Sequence, residues 1–161
     1  MSNVNVERIL PYDLETVWPV LADVGGIYRF HPFVASSPIN PGAPTTGMGA
    51  ERTCHFHDGN QVVERVTGFE EGRRLEIEIV DGTMPLASAH ASMAVEPVGH
   101  NETKIVFNMD YTPKFGIVGK AMDAMMMRRK FTSILTQVLV ALEEHLATGK
   151  VIGKDWRPKA A

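Results

Sequence analysis

An α+β fold is predicted for this chain, a curved antiparallel sheet of about seven strands around one long C-terminal helix. Three observations carry that expectation. A helical pattern runs uninterrupted from Gly119 to Thr148, roughly 44 Å of helix, which needs a broad apolar surface to lie on. Before it, short segments of alternating apolar and polar residues are separated by tight, glycine-containing turns. Two small helical pieces sit near the start. Sheet first and long helix last is the outline of a sheet wrapped around a helix, a shape that leaves a cavity between the two layers.

Val4, Val6 and Arg8 alternate with Asn3, Asn5 and Glu7 in a first strand that ends before Pro11. Asp13 offers an N-cap to a helix over Leu14 to Ala22, whose Leu14, Val17, Trp18 and Leu21 follow helical spacing. Pro19 should kink or shorten it. Gly25-Gly26 breaks the pattern, and Ile27 to Phe30 form a second helical turn before His31-Pro32. Val34 to Ile39 reads as a weak strand, and the prolines at 38, 41 and 44 make a loop. Strands over Arg52 to His57 and Gln61 to Phe69 flank Asp58-Gly59-Asn60, a strong hairpin signal. Arg74 to Val80 is the clearest strand, with Leu75, Ile77 and Ile79 alternating with Arg74, Glu76 and Glu78. Ala87 to Glu96 and Lys104 to Thr112 complete the set. Every connection after Gly49 is short, which predicts an antiparallel meander. In the closing helix, Ala121, Ala124, Arg128, Phe131, Leu135, Val138, Leu142 and Leu146 make one stripe toward the sheet, widened by Met122, Met125 and Met126. Gly149 is the expected C-cap. One domain is expected over residues 1–149, with 150–161 a loosely held tail.

Composition narrows the function. The chain has 161 residues, 16 basic and 19 acidic side chains and a formal net charge of -3, so no field for nucleic acid is expected. Arg128-Arg129-Lys130 lies inside the long helix, where consecutive residues point in different directions. The single cysteine, Cys54, excludes an internal disulfide. No basic and apolar leader marks the N-terminus and no apolar run is long enough to span a bilayer, so a cytoplasmic protein without stable membrane insertion is expected. No nucleophile elbow, HExxH or Walker loop is present, and Gly47-x-Gly49 is a turn rather than a dinucleotide site. No cofactor is expected.

Several local stretches narrow the fold. Thr16-Val17-Trp18-Pro19-Val20-Leu21-Ala22-Asp23 with Gly26 and His31-Pro32, then Gly49 to Phe56 followed by Asp58-Gly59 and Val63-Glu64-Arg65, resemble the polyketide cyclase/dehydrase and lipid transport family of bacterial proteins. So does Asp110-Tyr111-Thr112-Pro113-Lys114-Phe115-Gly116. The resemblance covers roughly residues 3 to 148 and implies the helix-grip fold of the START and birch-pollen-allergen superfamily. It is poor in chemistry, because that superfamily spans carriers, hormone receptors and enzymes.

Candidate site residues are set by strand alternation. Arg52, Cys54 and Phe56 share one face, expected toward the cavity, while Thr53, His55 and His57 take the other. By resemblance to abscisic acid receptors, in which a glutamate at the place of Glu64 faces ligand, Val62, Glu64 and Val66 form the matching set. Arg52 and Glu64 then meet as an ion pair in an apolar pocket, either orienting a ligand and moving a proton or serving as a structural pair near a wet rim. Leu75, Ile77, Ile79, Ala89, Phe107, Met127 and Phe131 would surround the ligand's apolar body. His31 stands at the mouth, where it can titrate near neutral pH or serve only to pack. His55 and His57 have a spacing compatible with a metal, but no third ligand is visible and no metal site is assigned. His90, His100 and His145 receive no role, Trp18 is read as a core anchor, and Trp156 as a tail residue without function. Met84, Met93 and Met109 with the cluster from Met122 to Met127 suit either core filling or an adaptable pocket. The loops Asp58-Gly59-Asn60 and Asp81-Gly82-Thr83-Met84-Pro85 resemble in position the gate and latch loops of the hormone receptors, without their gate sequence. The expected function is binding of a small hydrophobic molecule, a lipid, aromatic or polyketide-like compound, as carrier or sensor. The alternative is a polyketide cyclase/dehydrase-type enzyme in which Glu64, Arg52 or His31 serves proton transfer. A module binding a partner through a sheet edge or the tail is the third reading, and the oligomeric state is left open.

Overall fold

The computed structural model describes residues 1–122 and 126–159. Seven strands form one antiparallel sheet: β1 (Ser2–Leu10), β2 (Val34–Ser36), β3 (Glu51–Phe56), β4 (Gln61–Glu70), β5 (Arg74–Gly82), β6 (Leu86–Gly99) and β7 (Glu102–Pro113). Their spatial order is β1-β7-β6-β5-β4-β3-β2. The predicted meander is present from β2 onward, and β1 closes it by pairing with β7 from Ser2 opposite Tyr111 to Leu10 opposite Thr103. This is the helix-grip architecture.

Helix α1 (Leu14–Ala22) is capped by Asp13, whose side chain accepts from the Thr16 N–H, the local signal read from sequence. Pro19 does not shorten it: the helix runs through to Ala22. A 3-10 turn, Val24–Arg29, replaces the helical turn expected slightly later. Trp18 anchors α1, its ring 5.6 Å from that of Phe69 and its Nε1 donating to Glu71 at 2.7 Å.

The C-terminal segment differs in detail from the single helix expected. It comprises α2 (Gly116–Met122) and α3 (Arg128–Thr148), with Met126 and Met127 wound as a π turn ahead of α3. Ala124 and Met125 lie outside the described residues. A π turn adds a residue and so rotates the side chains before it out of phase with those after it. The predicted stripe is not continuous and begins only at Phe131. Phe131, Leu135, Val138 and Leu142 are buried and Leu146 partly buried, but Ala121 and Arg128 are exposed. The Phe131 ring meets that of Tyr111 edge-on at 4.8 Å. Gly149 ends α3 in the left-handed region, with φ 69.

Gly82, at the end of β5, is needed for another reason: a Cβ there would stand 2.6 Å from the Gln61 carbonyl oxygen. The close approach of β5 to β4 admits no side chain.

The tail is docked, not loose. Ile152 is 4 % exposed and its N–H donates to the Arg29 carbonyl at 2.8 Å, while Trp156 Nε1 donates to Glu144 at 2.7 Å. His145, given no role from sequence, bonds through Nδ1 to the Lys150 carbonyl at 2.7 Å. Ile152→Ala should therefore cost about 2–4 kcal/mol in a denaturant titration. A change below a few tenths would show that burial of the Ile152 side chain contributes nothing.

Candidate functional site

The sheet curls around α3 and leaves a cavity of about 510 Å³ between them. Inward residues of β5, β6 and β7 form its floor: Leu75, Ile77 and Ile79, then Ala89, Ala91 and Met93, then Phe107 and Met109. Phe131, Ile134 and Leu135 of α3 roof it, and Ile27, His31 and Phe33 close one end. At the mouth stand His57, Asp58, Asn60, Met84 and Lys130.

The polar centre lies on β3 and β4. Asp58-Gly59-Asn60 turns the hairpin, and the register it sets places Arg52 directly opposite Glu64. Arg52 Nε and Nη2 both donate to Glu64 Oε2, at 2.7 and 2.6 Å, and Nη1 donates to the Val24 carbonyl at 2.7 Å. The Arg52 side chain is 3 % exposed and that of Glu64 19 %. Burial works against the guanidinium charge, but the adjoining Glu64 carboxylate and Cys54 outweigh it and hold Arg52 above its ordinary pKa. Cys54 Sγ donates to the same Oε2 at 3.4 Å. Glu64 Oε1 has no hydrogen-bond partner among the described residues, and Glu64 lines the cavity. Arg52, by contrast, has its charge balanced by Glu64 and one Nη1 donor on a backbone carbonyl.

His31 packs edge-on between Phe33 and Phe56, with ring centres at 6.0 and 6.1 Å. The Phe33 N–H donates to its Nδ1 at 3.3 Å, which puts the proton of a neutral ring on Nε2. Burial pushes its pKa down to about 4, with Glu64 raising it and Arg52 lowering it by smaller amounts. His31 is thus a neutral donor at neutral pH rather than a group titrating there.

Of the residues expected in the site, Phe56, Val62, Leu75, Ile77, Ile79 and Ala89 line the cavity, as do Arg52, Glu64, Phe107, Phe131 and His31. Three do not. Cys54 and Val66 are buried but lie outside the lining, the Cys54 thiol donating to Glu64. Met127 packs against the core from its π turn without reaching the lining. His57 is a correction in the other direction. Strand β3 ends at Phe56, so His57 leaves the alternation, donates its N–H to the Phe33 carbonyl and lines the mouth, away from His55. Among the described residues no group of three or more His, Cys, Asp or Glu could hold a metal. Ala91, Met93 and Met109 were legible as inward alternation of the last strands, whereas Ser133 and Gln137 carried no signal.

The two loops at the mouth are joined. Thr83 Oγ1 donates to Asn60 Oδ1 at 2.9 Å and accepts from the Gln61 N–H at 3.0 Å.

A curled sheet gripping a C-terminal helix over an apolar cavity defines a helix-grip protein. The chain belongs to the polyketide cyclase/dehydrase and lipid transport family, whose sequence profile matches residues 1–147. No match was found among curated proteins. Among solved structures it is similar to a START superfamily protein from Mycobacterium smegmatis, with a TM-score of 0.75 at 13% identity, covering 92% of this chain and 99% of that one. Major latex-like protein 151 from Panax ginseng gives 0.71 at 14%, covering 89% and 96%. DynU16, from the dynemicin biosynthetic locus, gives 0.69 at 18%, covering 98% of this chain and 51% of that one. Family and fold suggest a protein that binds hydrophobic ligands. No helix among the described residues is long and apolar enough to cross a membrane.

Two outcomes test the polar centre. Glu64→Leu strands a buried guanidinium and should cost about 3–5 kcal/mol, Arg52→Met less, because Glu64 reaches the cavity, and the double variant should recover most of the loss. Additive losses in denaturant titrations would show that the two side chains do not act as a pair. His31 binds a proton more readily unfolded, at about 6.5, than folded, at about 4. Stability should therefore fall as pH drops from 6.5 toward 4, and the fall should be smaller in His31→Gln; parallel melting-temperature profiles would contradict this.

Proposed function

We propose that the protein binds a small hydrophobic molecule carrying a neutral hydrogen-bonding group, as a carrier or sensor. The observation that carries this reading is an unfilled apolar cavity whose innermost polar groups are already charge-balanced. A volume of about 510 Å³ suits a lipid, aromatic or polyketide-like body. The cation that would attract a carboxylate is committed to Glu64, while Glu64 Oε1 accepts and neutral His31 donates. A hydroxyl or carbonyl satisfies both, whereas a carboxylate placed beside Glu64 would be repelled by it.

A second reading, an enzyme of cyclase/dehydrase type, is favoured by the same pair of groups. A neutral imidazole and a carboxylate lining one cavity can donate and accept a proton on a keto compound. Glu64→Gln separates the readings: a carrier keeps saturable binding with modest loss, whereas an enzyme keeps binding and loses turnover.

Native mass spectrometry of freshly purified protein should reveal a retained small molecule. Independently, the neutral probe N-phenyl-1-naphthylamine should bind saturably, and Ala91→Trp, which sends a large ring into the cavity, should weaken it at least about tenfold with the fold retained by circular dichroism. Equal binding by wild type and Ala91→Trp would place the probe elsewhere and overturn the reading.

A further inference from the structure

Strands β5 and β6 form a hairpin that is only half closed. They pair from Arg74 opposite Ala94 to Glu78 opposite His90 and no further, although the same register would set Val80 opposite Ser88 and Gly82 opposite Leu86. Each strand keeps its other neighbour past that point. β5 stays with β4 as far as Gly82 opposite Val62, and β6 stays with β7 as far as Leu86 opposite Pro113. The two halves of the tip are tethered apart, the Thr83 N–H to the Gln61 carbonyl at 3.0 Å and the Lys114 N–H to the Pro85 carbonyl at 3.1 Å.

A pocket of about 180 Å³ occupies the gap. Its walls come from both faces of the sheet: Val62, Ile79 and Ala89 also wall the main cavity, whereas Val80, Asp81 and Ser88 are exposed. Hydrogen-bonded strands stand about 4.8 Å apart with backbone filling the space, so a pocket joins the two faces only where the ladder is broken. Backbone N–H and C=O groups that lose their ladder partners there need water or a ligand. Lys114 and Ser88, both exposed, also line it. The Asp81 carboxylate is partly engaged, accepting from the Gly82 N–H at 2.7 Å.

We infer that this seam is a second opening of the cavity and receives an acidic group of the ligand, paired with Lys114, while the apolar body lies in the main cavity. The inference rests on the cavity being the binding site. It assigns the ligand class as an amphiphile with a neutral polar group at the Glu64 end and an acid at the seam. The two ends are thereby read by different chemistry: a donor and an acceptor inside, a cation with backbone amides outside.

Two probes with one aromatic body separate the claims. N-phenyl-1-naphthylamine is neutral, and 8-anilinonaphthalene-1-sulfonate carries the acid. Lys114→Ala should weaken the sulfonate at least fivefold and leave the neutral probe within twofold, and Ser88→Trp, at an exposed position, should do the same by filling the seam. Lys154→Ala, which removes an exposed lysine from the tail, should change neither. Unchanged sulfonate binding in both seam variants, or an equal loss in Lys154→Ala, would overturn the seam site while leaving the cavity reading intact. Failure of wild type to bind the neutral probe would overturn the cavity reading and the seam with it.

Discussion

A cation with almost no access to water, held by one carboxylate across a strand pair, sets the terms for this structure. Arg52 donates to Glu64 and to the Val24 carbonyl, so a single side chain ties β3, β4 and the 3-10 turn together. A slip of one residue between β3 and β4 would send Arg52 to the opposite face and leave Glu64 without its cation, at a cost of several kcal/mol. The pair therefore specifies register as well as polarity. Its charge is balanced before any ligand enters, and the proposed preference for a neutral polar group rests on that balance.

Much of this was legible in the sequence, and the residues show why. The Asp58-Gly59-Asn60 turn marks a hairpin and alternation puts Arg52 on one face of β3, while it was the resemblance to the hormone receptors that put Glu64 inward beside it. Leu75, Ile77 and Ile79 obey the same period of two. What failed lies where the period itself stops. His57 sits one residue past the end of β3, and Met127 lies in a π turn that breaks the helical phase; neither event has a compositional mark. Cys54 and Val66 obey the alternation yet do not reach the cavity, since a shared face says nothing about what lies in front of a side chain.

The tail and the seam were illegible for a different reason. Ile152 is held by the carbonyl of Arg29, a backbone group that every residue possesses, so no local pattern announces it. The half-open β5–β6 hairpin is likewise a property of competing neighbours: β4 and β7 each retain a strand that the hairpin alone would have closed. Sequence reading treats a hairpin as an isolated pair, and here the outer pairings decide its tip.

Thr83 bonds through its hydroxyl to Asn60 and through both hydroxyl and amide to Gln61, which fastens the β5–β6 tip to the β3–β4 tip. The two hairpin tips thus share one small residue, and rearranging either strains the other. A change at Thr83 is therefore felt at both tips at once, which makes the two turns one mechanical unit.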